Sequence, residues 1–302
     1  MADSFDPLAQ TTSVDLGTTE NDEDLVGQRL DDRFEIRALI GVGAHGAVYE
    51  AWDERHQCAV ALKTLLRVAP EELVRFKQEF RVLSDVSHPN LVTLHELFVG
   101  GAGAYFTMEL VTGTDFLTWA RGEDLDELDE GRLRDGLRRL SRGLAALHDF
   151  GLLHRDLKPS NVLVRDDGEV LVADFGLARP LSNKDVEQGL SGTPAYMSPE
   201  QAADLELGAP SDWYSVGVML YEALTGAYPF GGLSGMGLLM AKQLRSAGRP
   251  SRNQAGVPPD LDDLCEQLLA RDPEDRPLAL EVLKIVGAVS DSEPLAGRAL
   301  GH

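Results

Sequence analysis

Residues 152–164 read LLHRDLKPSNVLV, placing His154, Arg155, Asp156, Lys158 and Asn161 between two apolar runs. The flanking leucines and valines mark a loop set deep in the molecule. Ionised groups there are costly unless they are paired or used in chemistry. A second group lies upstream. IGVGAHGAV, Ile40 to Val48, carries Gly41, Gly43 and Gly46 in G-x-G-x-x-G spacing, with Val42, Ala44 and His45 between them. Without β-carbons, backbone amides approach phosphate oxygens closely; a glycine-rich hairpin without chemistry has the same pattern. A dinucleotide fold needs a helix after the glycines, and a Walker loop needs G-K-[ST]; here the strand-like AVYEAWD follows. What survives is a hairpin folded over a nucleotide, with Val48 brought against a base. Lys63, in VALK with apolar neighbours Val60 and Leu62, is costly to place unless it meets a phosphate and a counter-ion. Glu79, flanked by Phe76 and Phe80, is the natural partner.

Positioning these groups requires particular elements. FEIRALIGVG, GAVYEAWDE and QCAVALKTL alternate as strands, and PEELVRFKQEFRVLSDV opens with Pro70 and two glutamates as a helix does. Two more strands are expected around Leu91–Phe98 and Ala104–Leu110. Beyond Gly113 the pattern turns helical. Leu133, Leu137, Leu140, Leu144 and Leu147 form a stripe ending at Gly151, which delivers the HRD loop. EVLVADFG reads as a short strand, DWYSVGVMLYEALTG as a buried helix, and DLDDLCEQLLA and LALEVLKIV as helices joined by the turn RDPEDRP. No internal repeat is present.

The chain has 302 residues with 28 basic and 50 acidic side chains, a net charge of −22. Such a charge disfavours nucleic acid as the main partner. No apolar run reaches bilayer length and the first residues lack a signal-peptide pattern. Cys58 and Cys265 stand far apart in sequence, which excludes a disulfide scaffold and suits a cytoplasmic location. Residues 1–31 read as a disordered acidic tail, in which Thr11, Thr12, Ser13, Thr18 and Thr19 could accept phosphate, a merely solvating tail being the favoured alternative. Residues 288–302 read as a short flexible tail.

Taken in order, the three glycines, Lys63, Glu79, HRDLKPSN, DFG and SPE resemble the protein-kinase signature set. From about Phe34 to Val286 the chain resembles a eukaryotic-like (Hanks-type) bacterial serine/threonine protein kinase. The resemblance implies an α+β, bilobal fold over 32–287. A small antiparallel sheet with one key helix would form the N-lobe (32–110), and a mainly helical C-lobe would follow (111–287). It implies transfer of the γ-phosphate of ATP to Ser or Thr hydroxyls of protein substrates, autophosphorylation included, in signalling. Asp156 would take or orient the hydroxyl proton, and Lys158 would stabilise the moving phosphoryl group. Asn161 and Asp174 would hold magnesium, with manganese as an alternative ion. Lys63 and Glu79 would complete the phosphate-binding pair. Met108 would be the gatekeeper; backbone groups of Glu109 and Val111 would meet adenine between Ala61 and Leu163. Asp115 would contact ribose, with helix capping as its alternative role.

His154 is expected to be structural, and Arg155 to read a phosphate in the activation segment. Within that segment Ser182 and Ser191 are the hydroxyls ahead of Thr193, which would bridge Asp156 and Lys158. Asp185 and Glu187 could supply negative charge to Arg155 instead. Glu200 is expected to pair with Arg276, and Asp212 to cap the backbone of the catalytic loop. Acidic residues 123–130 and Glu222 could favour basic sequences, a solvated face being the alternative. A pseudokinase would lack Lys63, Asp156 or Asp174, and all are present. A small-molecule phosphotransferase would lack the GTPAYMSPE platform. Dimerisation is left open by the sequence.

Overall fold

The alternation of residues 34–65 becomes a meander in a computed structural model, which describes residues 25–43, 46–65, 70–100, 103–125, 127–174, 193–287 and 298–299. Strands β1 (Arg29–Leu30), β2 (Phe34–Gly43), β3 (Gly46–Asp53), β4 (Cys58–Leu65), β6 (Leu94–Gly100) and β7 (Gly103–Glu109) form one antiparallel sheet in the order β1-β2-β3-β4-β7-β6. Side chains alternate across a strand, so register assigns the faces. Ala47, Tyr49, Ala51, Val60, Leu62 and Tyr105 share a buried apolar cluster with Phe34, Ile36, Leu25 and Leu30. Val48 pairs with Lys63, Lys63 with Phe106, and Ala61 with Met108. Those residues therefore lie on the opposite face, where Phe76 and Phe80 of helix α1 (Pro70–Ser84) pack against Phe106.

Leu25 and Leu30 correct the expectation of a structureless tail to residue 31. They are 7% and 4% exposed and seal the cluster face, tied by Gly27 N to Ile36 O (2.8 Å) and Ile36 N to Gln28 O (2.9 Å). Two leucines among acidic residues carry no periodicity, so their burial is not visible locally. The glycine pattern also has a different basis at one position. A β-carbon on Gly46 (φ +139°) would lie 1.9 Å from Thr64 O. Close approach of β4 therefore demands glycine there, whatever ligand the hairpin meets.

The chain divides into two compact units between Leu110 and Val111, but residues 81–92 belong to the second unit rather than to the smaller lobe. The physical cause is local. Asn90 O accepts from Val172 N and Val172 O from Val92 N (both 2.9 Å), while Asn90 Nδ2 donates to Val170 O (2.9 Å). Leu91 is thus bridged to Val172, and the strand expected from Leu91 begins only at Leu94.

In the second unit, helix α2 (Phe116–Arg121) precedes α3 (Glu130–Asp149), whose stripe Leu133, Leu137, Leu140, Leu144 and Leu147 is fully buried. Each such leucine is worth about 1.5–3 kcal/mol. Strands β8 (Gly113–Asp115), β9 (Val162–Arg165) and β10 (Val170–Val172) form a small antiparallel sheet. Then come α4 (Thr193–Tyr196), α5 (Pro199–Ala202), α6 (Ala209–Thr225), α7 (Gly235–Leu244), α8 (Pro259–Leu268) and α9 (Ala279–Ile285). Helix α6 is buried nearly all round, and a β-carbon on Gly217 would lie 2.8 Å from Leu268 Cβ, so α8 packs closely there. Where residues 288–302 read as a shapeless tail, β11 (Arg298–Ala299) pairs with β5 (Val86–Ser87) through backbone bonds. Among the described residues no helix is long and apolar enough to cross a membrane.

Candidate active site

In the first unit the sheet face away from the apolar cluster carries the expected nucleotide-binding residues. Ile40 and Val42 are exposed at 54% and 59%, and Gly41 pairs with Val48 across the hairpin. Ala61 is buried and Val48 and Lys63 are half-buried. Helix α1 docks through Phe76 and Phe80 beside Lys63's partner Phe106, which puts half-buried Glu79 on the Lys63 face. Met108 is buried, and the Glu109 N–H donates to Thr93 O at 2.9 Å. Ala44 and His45 lie outside the described residues.

The second unit builds the HRD loop. Asp156 N donates to His154 O at 2.9 Å around Arg155, whose φ is +65°. That is a γ-turn of the strained kind, costing about 1–3 kcal/mol. Asp212, at the start of α6, holds it. Its Oδ2 accepts from His154 N and its Oδ1 from Arg155 N, both at 2.8 Å. His148 Nε2, on the last turn of α3, lies 2.8 Å from Oδ2. Burial alone would raise the Asp212 pKa, but the His148 bond and the donors around it bring it below its ordinary value.

Downstream of the turn, Lys158 Nζ meets Asp156 Oδ2 at 3.0 Å. Asn161 Nδ2 donates to Asp156 O at 2.7 Å, which leaves its amide oxygen as the acceptor end. A single 3-10 turn, Pro159–Asn161, presents that amide. Two bonds bring the end of β10 to the loop: His154 Nε2 with Ala173 O (2.8 Å) and Ala173 N to Asn161 O (2.9 Å). Asp174 follows directly, with φ +57°. An amide oxygen and a carboxylate are donor types that a hard divalent cation takes.

Glu200 and Arg276 form a bidentate pair at 2.6 and 2.8 Å, with the Arg276 side chain fully buried. Arg276 also donates to the carbonyls of Ala270, Pro210 and Arg271. The buried Nε of Arg155 has no hydrogen-bond partner among the described residues. Ser182, Ser191, Asp185 and Glu187 lie outside those residues, and Thr193 is placed only as the first residue of α4.

Two of the expected acids have side-chain bonds of their own. Asp115 is the N-cap of α2: its Oδ1 accepts from Leu117 N (2.9 Å) and Thr118 N (3.1 Å), and its Oδ2 from Thr118 Oγ1 (2.7 Å). Both oxygens take part in the cap, the second of the two roles expected for it. Glu222 accepts the Tyr196 hydroxyl at 2.6 Å and is not a solvated acid; burial raises its pKa. Val111 and Leu163 are half-buried in the second unit, Leu163 paired with Asp115 in the small sheet.

Sequence reasoning missed His148, Gln201 and Lys242. His148 stands four residues beyond Leu144, on the buried stripe. Gln201 Nε2 donates to Arg155 O at 2.8 Å, tying SPEQ to the loop. Lys242 continues the buried positions Leu238 and Leu239 of α7, the one signal that it points inward.

The family model described as "Protein kinase domain" matches residues 34–286. The serine/threonine-protein kinase PknL of Mycobacterium bovis is 38% identical over 254 residues, covering 82% of this chain and 63% of PknL. The serine/threonine-protein kinase pkn3 of Myxococcus xanthus is 32% identical over 291 residues, covering 91% of this chain and 53% of pkn3. The chain thus spans about half to three fifths of the length of these curated relatives. The crystal structure of the Mycobacterium tuberculosis PknI kinase domain superposes with a TM-score of 0.69 at 23% identity, covering 87% of this chain and 98% of that one. That likeness speaks for the fold. With the matched family model covering most of the chain, the chain belongs to the protein kinase domain family.

Proposed function

We propose that the chain is a serine/threonine protein kinase that moves the γ-phosphoryl group of ATP to Ser and Thr hydroxyls of proteins, its own included. The supporting observation is the γ-turn held by Asp212, from which Asp156, Lys158 and Asn161 are presented together. Asp156 orients the substrate hydroxyl and accepts its proton. Lys158, already hydrogen-bonded to Asp156, stabilises charge on the transferred group. From the first unit, Lys63 with Glu79 holds phosphate, the glycine hairpin offers backbone amides, and the Glu109 backbone serves adenine.

Asn161 and Asp174 would hold magnesium, or manganese, which offsets phosphate charge when bound. Arg155, with its Nε buried, is suited to an anion from the activation segment. We read protein substrates and ATP as the partners and the cytoplasm as the location; with a net charge of −22, nucleic acid is not among the partners proposed. Label transfer from ATP to a generic basic protein, followed by identification of the labelled amino acid, tests the reading. Asp156→Asn should abolish transfer. Transfer that survives it, or label on tyrosine alone, refutes the assignment.

A further inference from the structure

Lys242 lies on α7 and is 1% exposed, yet it forms no ion pair among the described residues. Its Nζ donates to the carbonyls of Pro194 (2.9 Å), Ala195 (2.5 Å) and Met197 (2.7 Å). The carbonyl between them, Tyr196 O, accepts from Ser215 Oγ at 2.9 Å. Neighbouring Gln243 donates to Pro199 O. Helix α4 is one turn long, so its carbonyls lack intrahelical partners and its end carries partial negative charge.

An ammonium has three donors and no acceptor, whereas a neutral amine would turn its lone pair toward one of the carbonyls. The number of acceptors therefore matches the charged form, although burial pushes the Lys242 pKa down to about 7. The Tyr214 ring, 5.4 Å away, adds a cation–π contact. A buried cation without a carboxylate is costly. Here it is retained where the backbone of one short segment converges on it.

That segment is joined to the catalytic loop, since Gln201 at its far end holds Arg155 O, one residue from Asp156. We propose that Lys242 is a positioning residue for the protein substrate: it fixes Pro194–Met197 as the platform over which a peptide lies while its hydroxyl reaches Asp156. The proposal rests on the kinase reading above and adds a residue outside the signature motifs. Lys242 touches neither nucleotide nor hydroxyl in this account, so its loss should weaken peptide binding without changing the response to ATP.

The test compares the full chain with Lys242→Met, using a basic serine-containing peptide and hydrogen exchange. The variant should raise the peptide KM about tenfold, leave kcat and the ATP KM within about twofold, and speed amide exchange across residues 193–201 at least about tenfold. Exchange in α3 should not change. Lys242→Gln keeps two donors and should fall between the two, and it carries the same comparison if the methionine variant does not fold. Wild-type exchange in residues 193–201, or equal losses for peptide and ATP, would overturn the proposal. If the wild-type chain phosphorylates no protein or peptide, the kinase reading fails by itself. The exchange data still decide whether Lys242 holds the segment.

Discussion

Replacing Asp212 by Asn tests whether the strained turn before Asp156 is held from α6. The carboxylate accepts from His154 N, Arg155 N and His148 Nε2 at 2.8 Å each. An amide has one oxygen. Aimed at His148 and His154 it leaves the Arg155 N–H facing an NH2 group; turned over, it abandons the other two donors. One orphaned buried N–H costs about 1–3 kcal/mol, and losing charge assistance in the remaining bonds adds about 1 kcal/mol each. The sum is about 3–5 kcal/mol, a lowering of Tm by roughly 6–20 °C for a unit of this size. The γ-turn at Arg155 stores about 1–3 kcal/mol of strain that the lost bonds no longer offset. Asp156 should therefore move, and kcat should fall about a hundredfold, which corresponds to about 2.7 kcal/mol of transition-state stabilisation. Thermal unfolding and ADP release measured on one preparation provide the assay. A variant with wild-type Tm and turnover would show that the turn keeps its shape without Asp212 and would refute the reasoning.

Other expectations follow from the same geometry. Gly46→Ala forces a β-carbon to 1.9 Å from Thr64 O at φ +139°, so it should lower Tm even with no nucleotide present; a stable variant with weakened ATP binding alone would contradict the steric account. Arg276→Met strands the Glu200 carboxylate and three carbonyls and should cost about 3–5 kcal/mol in denaturant unfolding. Adding Glu200→Met should recover only part of it, because the carbonyls stay unpaired. In the first unit, Arg33 bonds Asp53 at 2.9 and 2.7 Å and Glu96 at 3.0 and 2.6 Å. These bonds to Arg33 are the largest cause holding both carboxyl pKa values below their ordinary 3.8 and 4.5. Depressed folded values mean that the stabilisation is full above the ordinary values and is lost as pH falls through the folded ones. Tm should drop as pH is lowered below about 4.5, and Arg33→Met should flatten that drop; parallel pH profiles would exclude the network as its source.

The legible part of the molecule is the part written in short windows. Alternation in β2–β4, the leucine stripe of α3 and the HRDLKPSN, DFG and SPE runs each occupy a few consecutive turns or pleats. The expected pair Glu200–Arg276 and the cap at Asp212 came from the family pattern, and the geometry supplies both. Asp115 was legible only as two alternatives, because an acid ahead of a helix can cap or reach outward; the bonds from Leu117 N and Thr118 Oγ1 show the cap. Residues 81–92 misled because Leu91 and Val92 look like strand by composition, whereas their partners in β10 lie about eighty residues away in sequence.

The amino-acid sequence by itself determined which chemistry is available: an acid beside a lysine, an amide and a carboxylate for a cation, a lysine for phosphate. It also determined the periodicities that make sheet and helix. Only the tertiary structure decided why Gly46 must be glycine, how Leu25 and Leu30 close the sheet, that Arg155 sits in a left-handed turn, and why a lysine can be buried at position 242. The physical reason is common to all four. Each depends on carbonyls, strands or donors distant in sequence, and the cost or gain of meeting them exists only once the chain is folded.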